Sequence, residues 1–250
     1  MDAKERAILE ARIQDVIRYA ETREVPKFVG FLDMSGAAIA VAIAEKSHCR
    51  FKLFGGYDGA ERVYFGVFPD WCEPENETFP IVRLKIQNKG IKALTHRDVL
   101  GALMSAGIER DTVGDILIGD KISVVFTAQS VASHIKADIV KIASCGVEIT
   151  EDFDDLELPI AHRFAENSGT VASLRLDCVV AELCNCSRNK ACELIETGDV
   201  AIRGLEVLKV TAEVVAGDTV TVRRFGKFIV DRCDRITKKG RIAIIYRKYI

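Results

Sequence analysis

The chain has 250 residues, 48% of them apolar, and a formal net charge of -2, which supplies side chains for more than one core and excludes a mostly disordered protein. No run approaches the roughly 20 apolar residues of a membrane-spanning helix, and Met1 to Arg6 lacks the apolar stretch of a secretory signal. A cytoplasmic protein with its eight cysteines reduced is therefore expected. From Thr170 onward there are 15 Lys+Arg against 10 Asp+Glu, and in the remainder 20 against 27. A basic end on an acidic body is the footprint of a local polyanion-binding face.

In chain order, Ile8, Leu9, Ile13, Val16 and Ile17 lie on one helical face, so residues 2–21 read as an amphipathic helix. After Phe28-Val29-Gly30-Phe31-Leu32-Asp33, an alanine-rich stretch runs from Ser35, read as its N-cap, to Glu45. Residues 50–54 and 62–68 are β-like runs joined by a glycine-rich turn at 55–59, which predicts a hairpin. Next come a strand at 81–87, a helix at 95–106, strands at 115–118 and 121–126, a helix from about 129 to 142, and a strand at 147–150. This βαββαβ order predicts a ferredoxin-like (RRM-like) α+β domain. The strands Ile116-Leu117-Ile118 and Ser123-Val124-Val125-Phe126 lack the glycine/aromatic motif that stacks RNA bases in such domains. The run Glu151-Asp152-Phe153-Asp154-Asp155 reads as a solvated linker. The expected organisation is α+β throughout, with a small α/β-hairpin domain at 1–75, the ferredoxin-like domain at 76–165 and a basic αβ module at 170–250.

Within that module, Ser187 stands where an N-cap belongs, ahead of a helix whose buried stripe is Ala191, Leu194 and Ile195. Arg188, Asn189 and Lys190 then fall at the positive helix N-terminus, a place suited to phosphate. Gly198 closes the helix, and residues 200–202 with 207–208 predict a hairpin whose turn, Arg203-Gly204, presents an arginine at its tip. Arg175, Lys209, Arg223, Arg224 and Lys227 complete the set of candidate RNA-binding cations. Cys178, Cys184, Cys186 and Cys192 crowd together, but their spacing matches no metal-binding pair, so no metal and no cofactor are expected.

Five features follow in order: Arg175-Leu176-Asp177; Ser187-Arg188 with Ala191, Leu194-Ile195, Gly198 and Val200; the Arg203-Gly204 turn; Gly217-Asp218 with Val220 and Val222; and Phe225-Gly226-Lys227-Phe228. Together they resemble the S4 RNA-binding domain. The resemblance implies recognition of double-stranded or folded RNA by shape, through phosphates and sugar hydroxyls, because the deep groove of A-form RNA is closed to side chains. Upstream, residues 28–33, Gly55 to Arg62, Phe68-Pro69 and the βαββαβ segment resemble the YlmH-like bacterial proteins. That likeness implies a ribosome-associated protein of the large subunit, acting in rescue of stalled nascent chains, and an association with cell division.

The reading is a non-catalytic protein that holds structured rRNA or tRNA, with no small-molecule substrate. Two alternatives belong to other classes. Arg-Leu-Asp is also the catalytic motif of pseudouridine synthases, so an RNA-modifying enzyme is one; Asp177 here opens the first helix of the module, where a carboxylate favours the helix start. Asp33, Glu61 and Arg62 are the best upstream candidates for a catalytic set, and Glu61-Arg62 reads instead as an ion pair flanking a turn. The other alternative is a division-associated factor that binds proteins without RNA.

Overall fold

The computed structural model describes residues 3–151, 158–159, 164–237 and 240–250; most of the acidic run, Asp152 to Asp155, lies outside them. The fold is α+β and forms two compact units, Met1–Ala161 and His162–Ile250.

The first unit opens with α1 (Ala3–Arg23), which buries Ile13, Val16, Ile17 and Ala20. Ile8, placed by its spacing on the same face, is 59% exposed, so the apolar stripe is covered only from Leu9 onward. Strand β1 (Lys27–Leu32) leads into α2 (Met34–Ser47), whose N-cap is Asp33 and not Ser35. The Asp33 carboxylate accepts from the Gly36 amide at 2.8 Å, which places Ser35 inside the first turn. β2 (Arg50–Phe54) and β3 (Val63–Phe68) form the expected hairpin, and β1 joins it in the order β1-β3-β2.

There follow β4 (Ile81–Asn88), α3 (His96–Ser105), β5 (Val113–Leu117), β6 (Ile122–Ala128), α4 (Gln129–Asp138), the two-residue β7 (Lys141–Ile142) and β8 (Cys145–Thr150). Helix α4 ends four residues earlier than its spacing suggests, because Lys141 and Ile142 turn back to pair with Gly146 and Cys145. The order β5-β6-β4-β8-β7, antiparallel throughout, is the ferredoxin-like arrangement with a short extra edge.

Both faces of this sheet are used. Leu84, Ile86, Ile116 and Val125 pack with Val99 and Leu103 of α3 and Ala132 and Ile135 of α4. On the other face Leu117, Val124 and Phe126 share a core with Phe31, Tyr64, Phe68 and Phe79, and Tyr57 stacks on Phe126 with ring centroids 4.8 Å apart. A Cβ on Gly114 would lie 2.5 Å from the Phe31 ring, so β5 accepts this contact only with glycine there. Residues of the 1–75 and 76–165 segments thus share one core. Arg62 ties it further. Its guanidinium donates to the carbonyls of Val113, Phe31 and Arg110, while its own amide, that of Glu61 and the Tyr57 hydroxyl all donate to Asp115.

In the second unit β9 (Phe164–Val171) precedes α5 (Leu176–Leu183) and α6 (Arg188–Glu196). These are followed by β10 (Val200–Ile202), β11 (Leu205–Glu206), β12 (Thr219–Val222), β13 (Gly226–Ile236) and β14 (Ile242–Tyr249), forming a six-stranded sheet in the order β11-β10-β12-β13-β14-β9. The hairpin after α6 closes at Leu205–Glu206, tighter than the expected 207–208. Arg203 and Gly204 both take positive φ, 51° and 77°, which makes a two-residue turn that pairs Ile202 with Leu205. β9 is polar and runs along the whole of β14 as its outer neighbour. Arg247 holds this edge by pairing with Asp231 through two hydrogen bonds, at 2.9 and 2.7 Å, and by lying 4.7 Å over the Phe164 ring.

Candidate nucleic-acid interface

Helix α5 turns its apolar side, Leu176, Val179, Val180 and Leu183, into the core of the second unit, and α6 adds Ala191, Leu194 and Ile195. The stripe read from the spacing is therefore the buried one. Ser187 caps α6 as expected: its hydroxyl accepts from the Lys190 amide at 3.2 Å. Arg188, Asn189 and Lys190 occupy the exposed first turn.

Asp177 organises this end of the unit. Its side chain is 2% exposed, against 41% for Arg175 and 56% for Arg188, and both guanidiniums converge on it. Arg175 donates from Nε and Nη2 at 3.1 and 3.0 Å, Arg188 from Nε and Nη2 at 2.9 and 2.7 Å, and the Cys178 amide adds a bond at 3.0 Å. Burial alone would raise the carboxyl; the hydrogen bonds from Arg175 and then Arg188 outweigh it and bring the group down to about 2. The aspartate is thus a buried anchor rather than a charge lying near a helix start. One carboxylate fixes two guanidiniums, so the cluster keeps a surplus positive charge beside the α6 N-terminus. Its oxygens are spent on the arginines, which leaves the nucleophile of the Arg-Leu-Asp reading enclosed and occupied.

The other expected cations fall elsewhere in the same unit. Arg203, at the tip of the β10–β11 hairpin, donates from Nε to Asp218 Oδ1 at 2.5 Å, and the Val215 amide takes Asp218 Oδ2 at 2.9 Å. Asp218 is buried, so this second arginine is also positioned by an inner carboxylate. Lys190 pairs with Glu193 at 3.0 Å and Arg223 lies 3.6 Å from Asp199. Arg224 is exposed in the β12–β13 turn, Lys209 is exposed after the hairpin, and Lys227 sits 4.5 Å over the Tyr249 ring.

What the sequence reading missed is Arg241, the residue just before β14. It donates to the Thr170 hydroxyl at 3.0 Å and to the Thr170 carbonyl at 2.5 Å, and it lines, with Arg188, a hollow of about 290 Å³. Its distance from the motifs in sequence hid it; the net charge of this end of the chain was the available signal.

Among the described residues no group of three or more His, Cys, Asp or Glu side chains is placed to hold a metal ion. The cysteines are free, and burial pushes the Cys184 thiol up to about 12. Among the described residues, no helix is long and apolar enough to cross a membrane.

The chain thus forms two compact α+β units, one with a ferredoxin-like sheet and one with arginines held on buried carboxylates. Residues 74–154 match the family described as "Putative RNA-binding domain in YlmH". The chain is 28% identical over 224 residues to the "Ribosome-associated protein quality control protein P2" of Bacillus subtilis (strain 168), covering 89% of this chain and 87% of that protein. The "Cell division protein ylmH from Streptococcus pneumoniae" shares the fold, with a TM-score of 0.55 at 18% identity over 61% of this chain and 93% of that one. Over residues 74–154 the chain thus resembles the RNA-binding domain of YlmH.

Proposed function

We propose that this is a non-catalytic, cytoplasmic RNA-binding protein that associates with the ribosome, and that its second unit is an S4-type domain recognising structured rRNA or tRNA. The observation that carries this is the pair Arg175 and Arg188, fixed on buried Asp177 where the starts of α5 and α6 meet. It supplies preorganised, phosphate-matching guanidiniums next to a helix N-terminus. The match of residues 74–154 to an RNA-binding family and the likeness to a ribosome-associated quality-control protein support an RNA-binding, ribosome-associated role; the large subunit, in rescue of stalled nascent chains, is the setting we propose for it.

The site residues are Arg175, Arg188, Asn189 and Lys190 with the cap Ser187, Arg203 at the hairpin tip, and Lys209, Arg223, Arg224 and Lys227 beyond it. In the first unit, part of the sheet face on which RNA-recognition domains stack bases is filled by Phe31, Tyr64 and Phe79. RNA contact by 74–154 would therefore not use that covered part of the face.

The test is crosslinking in cells followed by sequencing of the bound RNA, together with sedimentation of the full chain with ribosomal subunits in sucrose gradients. Recovery of large-subunit or transfer RNA, and co-sedimentation that weakens with salt, is the expected result. A chain that stays at the top of the gradient and crosslinks to no RNA would refute the reading and favour the protein-interaction alternative.

A further inference from the structure

The second unit carries four arginines around two adjoining hollows. The first, of about 290 Å³, is walled by Arg188 and Arg241; the second, of about 650 Å³, by Arg232 and Arg235 from the outer half of β13. Thr170 and Glu182 line both, so the hollows meet along the end of β9. Arg232, Arg235 and Arg241 are exposed. The carboxylates on these walls are Glu182, which lies over the Gly169 backbone, and Asp234. Four guanidiniums thus face two carboxylates along one continuous strip that begins at the start of α6. None of the three outer arginines lies within the motif features read from the sequence, which end at Phe228.

We propose that this strip is the second half of the RNA face: the sugar-phosphate backbone that meets Arg188 at α6 continues over Arg241 onto Arg232 and Arg235. The inference rests on the RNA-binding reading above and extends it to the opposite end of the sheet from the Arg203 hairpin. Three features favour RNA backbone as the occupant. The charge is cationic and spread along a line, as successive phosphates require. Guanidinium forks match phosphate oxygens in pairs. Arg241 is already oriented, since its Nε and Nη2 are held by Thr170 at the wall of the hollow it shares with Arg188. The hollows are open to solvent, so they suit a backbone in passing and not an enclosed base.

The experiment uses the full chain and fluorescently labelled bacterial large-subunit ribosomal RNA, titrated over a series of salt concentrations. The triple variant Arg232→Gln, Arg235→Gln, Arg241→Gln is compared with wild type, with the corresponding triple lysine variant, and with Lys190→Gln. Each lost phosphate contact lowers the salt slope by roughly 0.7–0.9, so the glutamine triple should lose about two in slope and roughly tenfold or more in affinity. The lysine triple should keep the slope, which also separates lost charge from lost folding. A glutamine triple that binds with wild-type slope and affinity, while Lys190→Gln weakens binding, overturns the strip and leaves the α6 site standing. If the wild-type chain itself shows no salt-dependent binding, both readings fall together.

Discussion

Arg188 and Asp177, eleven residues apart in sequence, are joined by two hydrogen bonds from one guanidinium to one carboxylate oxygen, at 2.9 and 2.7 Å. The bond fastens α6 to the start of α5 and at the same time aims a cation outward. On the proposed RNA-binding role, stability and binding are therefore coupled at Arg188, as they are not at Lys190, which pairs with the exposed Glu193 one turn along.

Alanine substitutions should separate the two roles. Lys190→Ala should leave stability within about 0.5 kcal/mol, whereas Arg188→Ala, which strips half the cationic support from a buried carboxylate, should cost about 1–3 kcal/mol. Both should lower the salt slope of RNA binding by roughly 0.7–0.9. Urea unfolding followed by binding titrations of the two variants checks this; equal stability of the two would mean that Arg175 alone suffices for Asp177.

The pH dependence follows from the same carboxylate. Its folded-state value, about 2, lies below the ordinary aspartate value of 3.8. A depressed value of this kind stabilises the fold above the unfolded value, and the contribution fades as pH falls from about 4 through about 2. The shift corresponds to on the order of 2 kcal/mol near neutrality. Asp177→Asn should therefore be clearly less stable than wild type at pH 7, and the gap should narrow when both are measured between pH 4 and pH 2.5. Modified-nucleoside profiles of ribosomal and transfer RNA should be the same in cells carrying either form. A pseudouridine lost in the variant would make Asp177 catalytic.

At the hairpin, Arg203→Ala removes the guanidinium from the buried Asp218 carboxylate and leaves it the bond from the Val215 amide. The expected cost is about 1–3 kcal/mol, and Asp218→Asn in the Arg203→Ala background should recover part of it. A double-mutant cycle by thermal unfolding reads the coupling. Strictly additive costs would show that the pair carries no interaction energy.

Much of this fold was legible in the sequence and some was hidden for physical reasons. The alternation over 81–150 was readable because β4, β6 and the helices each keep a clear period. Asp33 was overlooked as a cap because Ser35 is an equally good cap type two residues later, and only the backbone decides between them. β9 carries the run Ala165-Glu166-Asn167-Ser168-Gly169, polar because an edge strand faces water on one side, so it gives little apolar signal. The buried state of Asp177 was invisible for a different reason: its partners Arg175 and Arg188 are near in sequence, but nothing in their spacing says that both guanidiniums turn inward.

The shared core of the first unit predicts the behaviour of its pieces. A fragment limited to 76–161 would expose Leu117, Val124 and Phe126 where Phe31, Tyr64 and Phe68 now cover them, and would lose the bonds from the amides of Glu61 and Arg62 to Asp115. It should bind a hydrophobic dye and elute as aggregates in gel filtration, while 1–161 elutes as a folded species. A monomeric, dye-silent 76–161 would mean that the aromatic cluster is dispensable.

The last prediction concerns where the second unit begins. β9 pairs with β14 from Phe164 opposite Tyr249 to Val171 opposite Ile242, an unbroken register of eight residue pairs. A fragment starting at Thr170 keeps only the last two residues of that strand. It would bare the N–H and C=O groups on the outer side of β14, an edge that invites pairing with another chain, and would remove Phe164 from beneath Arg247. It would keep Thr170 itself, and with it the bonds that hold Arg241. A fragment from 162 to 250 should therefore fold cooperatively and bind labelled ribosomal RNA with a salt slope close to that of the full chain, if the second unit supplies most of the phosphate contacts. The fragment from 170 to 250 should unfold at lower urea and self-associate. Its residual binding, measured at concentrations below self-association, should retain the α6 contribution, because Asp177, Arg175 and Arg188 all lie beyond the cut. Filter binding and analytical ultracentrifugation of the two fragments side by side decide the matter. Equal stability would show that β9 only decorates the sheet, and RNA affinity as strong in the 1–161 fragment as in 162–250 would move the principal binding face out of the second unit.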